Sequence, residues 1–228
     1  MTLLTLSMPW QFTAALFPVF LSLLSLMARH VRKSIGLYYL PRNRGENEVT
    51  AAAVCWLFAA AATAVILSPL SQRLPAFFFI LFLFRLTLTD ALTGLLPRHM
   101  TVSCLLAGLA GSLWKPVSEG SGAALSVLAG HAAACLVVLV MVGALRQFSI
   151  MRDGRENPAL GDVWLAGAVT AWLGFSDGCW AIGTGVVMFT LWQAPKRHTG
   201  KGGPLGPWLS AGAVTVTLIQ LYQPIVVW

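Results

Sequence analysis

Charge is what this sequence has least of. Only 10% of its 228 residues are Asp, Glu, Lys or Arg, against about a quarter in an ordinary soluble domain. Such a chain cannot clothe a water-facing surface, so a soluble globular fold is excluded. Cysteine is sparse as well: Cys55, Cys104, Cys135 and Cys179 stand alone, mostly inside apolar runs, with no CxxC pair. That spacing argues against a structural zinc site and a disulfide framework, and the four read as small apolar packing residues. The formal charge of +7 is not gathered into one basic patch, so nucleic acid is not an expected partner. Also missing is a short basic N-terminal region followed by a cleavage site, and the first apolar run is therefore expected to be a span and not a removable signal.

What the chain has instead is apolar length. Hydrophobic residues fill 57% of its positions, and a bilayer crossing takes roughly 20 of them in a row. Apolar runs between breakers predict eight spans, near 9–28, 50–69, 75–96, 100–114, 122–145, 160–175, 178–194 and 206–227. The fourth, sixth and seventh are short, which bilayer thinning or burial in the bundle accommodates. The expectation is an all-α, polytopic integral membrane bundle of about eight helices, one domain over 1–228, with lipid as its solvent.

The basic residues set an orientation. Twelve of the fifteen Lys and Arg fall in the first, third, fifth and seventh connections, two (Arg73 and Lys115) in the others, and Arg85 inside a span. By the positive-inside rule the first set faces the cytoplasm and both termini face outward.

Eight carboxylates can be taken one by one. Glu46, Glu48 and Asp153 are expected in cytoplasmic loops, and Glu119 and Asp177 in outward turns. Asp90 and Asp162 differ: the first is embedded late in the third span, the second opens the sixth, and the orientation puts both near the inner face. A carboxylate at a helix centre costs about 2.5–3.5 kcal/mol to insert, so each is expected to face protein or a water-filled cavity. Two that meet between helices share a proton over a wide pH range, as a general acid–base pair requires. Proton-coupled or cation transporters also need membrane carboxylates, and two aspartates alone favour a transporter or a structural role.

The surrounding residues reverse that preference. Asp90 is followed by Leu96-Pro97 and by Thr101, four beyond the proline. Glu156 lies six residues before Asp162 in Glu156-Asn-Pro-Ala-Leu-Gly161-Asp162-Val-Trp-Leu165. Thr170-Ala-Trp-Leu-Gly-Phe175 and Gly203-Pro-Leu-Gly-Pro-Trp-Leu-Ser-Ala-Gly212 follow. In this order, over residues 85–215, the four segments resemble those of the prepilin peptidases, intramembrane aspartic endopeptidases of the GxGD type.

The resemblance implies catalytic carboxylates at Asp90 and Asp162, with Gly161, Glu156, Pro97 and Thr101 shaping the site. It implies type IV prepilins or pseudopilins as substrates, cut behind a basic leader at the cytoplasmic face of a bacterial inner membrane. No metal or cofactor is needed for the cut; S-adenosylmethionine enters only if the new N-terminus is also methylated, and no segment here matches a site for it. A silent component of pilus or secretion assembly is the third alternative.

The departures are specific. Ala159 replaces the first glycine of GxGD, Arg98 replaces the acidic residue usual after Leu-Pro, and Trp164 replaces the lysine usual two positions after the second aspartate. The cysteine-pair region of larger members is missing. Gly161 is expected to permit close helix approach, Pro97 to end the third span, and His131 to be a satisfied polar contact. Arg85, five positions before Asp90 and about 140° around the helix from it, is expected in the bundle interior or snorkelling. Glu156 either orients substrate or solvates its loop.

Overall fold

The computed structural model describes residues 10–36, 44–68, 73–114, 123–154, 156, 158–194 and 204–223. Among these there are seven helices and no strand: α1 (Trp10–Gly36), α2 (Arg44–Leu67), α3 (Arg73–Thr93), α4 (Arg98–Ser112), α5 (Ala124–Asp153), α6 (Leu160–Gln193) and α7 (Gly206–Tyr222). The protein is an all-α membrane bundle. Four helices carry stretches long and apolar enough to cross a bilayer: Ala14–Ser34, Thr50–Leu67, Arg73–Thr93 and Ala124–Arg152. Length and composition of the described helices bear out four of the eight expected crossings. With 15 residues, α4 reaches only about 22 Å, short of a hydrocarbon core of about 30 Å.

The expected sixth and seventh spans are the two helical arms of α6, which breaks at Gly174. Its φ of 79° and ψ of −174° lie far from helical values, a region an L side chain rarely enters. The chain doubles back there: a Cβ at Gly178 would stand 2.9 Å from the Cα of Thr170, although eight residues of continuous helix would separate the two by about 12 Å. The break leaves carbonyls at the end of the first arm without helical partners. The Nδ1 of His131 donates to one of them, the Ala171 carbonyl, at 2.9 Å, so His131 is the satisfied contact expected of it. Asp177, expected in a turn, lies within the second arm and accepts a hydrogen bond from the Gln220 amide of α7.

Neighbouring helices run α1, α2, α3 across one side; α3 then packs on α7, α7 on α6, and α6 on both α4 and α5. Trp172 wedges α6 against α4. A Cβ at Gly108 would stand 2.7 Å from its ring and one at Gly111 2.8 Å; its indole N–H donates to the Cys104 carbonyl at 2.9 Å, and its other side stacks on Phe79 at 5.0 Å. The second arm of α6 and α7 approach more closely still. A Cβ at Gly185 would meet the Trp208 carbonyl oxygen at 2.7 Å and the Leu209 Cα at 2.8 Å, and one at Gly212 the Gly185 nitrogen at 2.7 Å. These obstacles are backbone, which cannot swing aside. Gly185→Val and Gly212→Val are expected to cost about 1–3 kcal/mol each, measurable as lowered unfolding midpoints in detergent. Gly183→Ala, whose Cβ would meet nothing within 4 Å, is the matched control.

Several local expectations are corrected. Pro97 does not end α3: the helix stops at Thr93, where Gly94 takes φ 68° and donates its N–H to the Asp90 carbonyl at 2.7 Å. Pro97 instead caps the start of α4 in an extended conformation. Glu46 and Glu48 lie in the first turns of α2 and not in a loop; their side chains are outside the description, as are that of Asp153 and the whole of Glu119. Arg85 is exposed on α3 rather than turned into the bundle, leaving snorkelling as its role. Cys55, Cys104 and Cys135 are buried, but Cys179 is exposed.

Candidate active site

Both aspartates sit where helices begin or end at one pole of the bundle. Asp90 occupies the last turn of α3, 4% exposed, and Asp162 the first turn of α6, 8% exposed. Three short stretches bring them together: residues 94–97, the start of α6 and the start of α7.

Leu96 is the pivot. A Cβ at Gly161 would stand 2.6 Å from the Leu96 Cβ, and one at Gly206 would stand 3.1 Å from its Cδ1. Gly161 precedes Asp162. Gly206 is the first residue of α7, and its Cβ would stand 2.5 Å from the Oδ2 of Asp90 and 3.1 Å from its Cγ. Leu96 thus lies between two glycines, each beside one aspartate. Neither glycine can be larger without moving Leu96 or a carboxylate.

Helix ends supply the local field. Asp162 is an acid in the first turn of α6, where unpaired N–H groups and the helix dipole attract negative charge. Asp90, at the unfavourable end of its own helix, packs against the N-terminus of α7 at Gly206, which presents the same partial positive charge. The Oδ2 of Asp90 is buried with no hydrogen-bond partner among the described residues; so are the hydroxyls of Thr87 on α3 and Ser210 on α7, each one turn further into the bundle. A buried oxygen left unpaired carries a desolvation cost of about 1–3 kcal/mol, and it is poised to bond an incoming group.

The remaining expected site residues divide. Thr101 is fully buried in the first turn of α4, and its hydroxyl donates to the Arg98 carbonyl at 2.9 Å; it packs and offers no free donor. Pro97 and Gly161 flank Leu96. Glu156 is exposed and pairs with Arg146 of α5 at 2.7 Å, which ties down the connection before α6. Its observed contact is with the protein's own arginine.

Comparison with known proteins bears on what this pole is. A prepilin leader peptidase/N-methyltransferase of Burkholderia pseudomallei (strain 1026b) is 29% identical over 190 residues, 81% of this chain and 55% of the relative. The chain is similar to this prepilin leader peptidase over most of its own length. Another such peptidase/N-methyltransferase, of Pectobacterium carotovorum subsp. carotovorum, is 31% identical over 138 residues, 58% of this chain and 47% of the relative. The chain spans about half the length of these curated relatives. No family model matches it, and no solved structure does.

Two contributors have roles at the site that the sequence did not assign. Gly206 belongs to the Gly203–Gly212 segment quoted above, yet nothing in that segment announces which glycine touches Asp90. Leu96 was legible only as half of the Leu96-Pro97 motif, with nothing to say what it touches. Only the meeting of three elements distinguishes it.

Proposed function

We propose that this protein is a membrane aspartic endopeptidase that removes the basic leader from type IV prepilins or pseudopilins. The observation that carries the reading is the pair of buried carboxylates at one pole, each beside a glycine packed against Leu96. One carboxylate, ionised, takes a proton from water as the water oxygen bonds to the scissile carbonyl carbon. The other, protonated, donates to the carbonyl oxygen. Collapse of the tetrahedral species breaks the C–N bond, and the proton held by the first carboxylate passes to the leaving nitrogen.

The pole fits the substrate's polarity. Asp90 ends an apolar helix that follows Arg73, and the cytoplasmic assignment of this end rests on the distribution of Lys and Arg. At the cytoplasmic face of a bacterial inner membrane, a basic leader would stay in water while the apolar segment behind it enters lipid. Gly161 and Gly206 let the three segments close on Leu96 beside the aspartates, and Pro97 and Thr101 hold the start of α4.

The relatives are named for methyl transfer as well as for cleavage. S-adenosylmethionine would supply a methyl group to the new N-terminus; we assign no residues of this chain to it. Hydrolysis consumes only water, so purified protein in lipid is expected to cleave a synthetic prepilin, with a basic leader, glycine and an apolar helix, without any methyl donor. Mass spectrometry of the products reads both the cut and any methylation. Loss of the cut on withdrawing the donor would contradict the mechanism; no cut under any condition would favour a transporter or an assembly component.

A further inference from the structure

Two of the positions where this chain departs from the family pattern meet in space. Arg98, in place of an acidic residue, is the first residue of α4, and Trp164, in place of lysine, lies two residues beyond Asp162 in α6. The guanidinium carbon of Arg98 stands 5.4 Å from the centroid of the Trp164 ring. That is within the roughly 6 Å at which an indole face holds a cation. Arg98 is exposed and makes no ion pair among the described residues, so the indole is its partner.

The contact joins the first residue of α4 to the start of α6, two residues beyond Asp162. Residues 94–97 link α3 to α4 outside either helix, and this link sets where the Asp90 end of α3 stands relative to Asp162. It is held to the first turn of α6 at two points, Leu96 against Gly161 and Arg98 over Trp164. We propose that Arg98 and Trp164 form a cross-brace whose task is to position the Asp90 segment against the Asp162 segment. They are positioning residues and not catalytic ones. The proposal rests on the peptidase reading for its effect on rate, but not for the contact itself.

The test is a double-mutant cycle read in two ways, by the kcat and KM of leader cleavage and by the unfolding midpoint in detergent. Arg98→Gln and Trp164→Leu are each expected to lower kcat about tenfold with KM within about twofold, and the pair together no further than the worse single, because residues acting as one unit are not additive. Trp164→Phe keeps an aromatic face and most of the rate. Trp164→Lys, which faces Arg98 with like charge, should be the worst single exchange. Combining it with Arg98→Glu should restore kcat to within about threefold of the starting protein, since opposite charges at contact distance attract again. Additive losses, or a swapped pair no better than its singles, would overturn the brace. If the unaltered protein cleaves nothing, the peptidase reading fails, and the unfolding midpoints decide the brace alone. Recovery in the swapped pair supports it, and additive lowering overturns it.

Discussion

Asp90→Asn and Asp162→Asn are each expected to abolish leader cleavage, a loss of roughly a hundredfold to ten-thousandfold, the usual worth of a positioned acid or base. In a pair that shares a proton, one member accepts from water while the other donates to the carbonyl, so neither can stand in for its partner. Asparagine keeps the size and much of the hydrogen bonding but cannot ionise. Both variants should insert and accumulate normally, which separates lost chemistry from lost folding. Asp90→Glu should fail nearly as badly. Its extra methylene moves the carboxylate by about an ångström, a displacement that can cost a hundredfold, and the close approach of Gly206 leaves no slack to absorb it. Asp177→Asn should cleave normally, because Asp177 sits beside the α6 hairpin with Gln220 as its partner. The measurement is initial rate on a synthetic prepilin with protein abundance as the control. Full activity in Asp162→Asn would leave Asp90 without a partner and end the dyad.

Gly206→Ala is expected to bring the second largest loss, about a hundredfold in kcat. An added Cβ would lie 2.5 Å from the Oδ2 of Asp90 and 3.1 Å from its Cγ, and the carboxylate is the group that must yield. Gly161→Ala should act through Leu96, whose Cβ would stand 2.6 Å away. That Cβ is fixed to the backbone and cannot rotate clear, so the 94–97 link must move and Asp90 with it. Gly130→Ala and Gly143→Ala on α5, where a Cβ would meet nothing within 4 Å, are the controls and should be unchanged. Equal rates for Gly206→Ala and these controls would detach the N-terminus of α7 from the site.

Asp90 and Asp162 could be singled out from the chain because a carboxylate in an apolar segment is costly wherever it ends up, and cost is a local property. Helix positions were legible for the same reason, since each run of apolar residues reports its own solvent. Helix ends were less so. Pro97 was expected to terminate α3, but Gly94 does so three residues earlier, because a left-handed cap needs only one permissive residue in the right place. The sixth and seventh spans were read as two helices and are the two arms of α6, but the break lies at Gly174 in the matched Thr170–Phe175 segment, ahead of the expected gap between the spans. Cys179 was misjudged, and Arg85 left with two alternatives, because which side of a helix faces the bundle depends on where its neighbours pack.

The sequence by itself determined that this protein lives in lipid, that its helices run as an all-α bundle, and which two acids merit attention, because composition, apolar length and the price of a buried charge are summed along the chain. Only the tertiary structure decided that Leu96 separates Gly161 from Gly206, that α7 brings its N-terminus to Asp90, that Glu156 answers to Arg146, and that Arg98 rests on Trp164. Each of these is a contact between elements tens of residues apart, fixed by how closely backbones can pack, and no local pattern encodes which glycine a distant side chain will need.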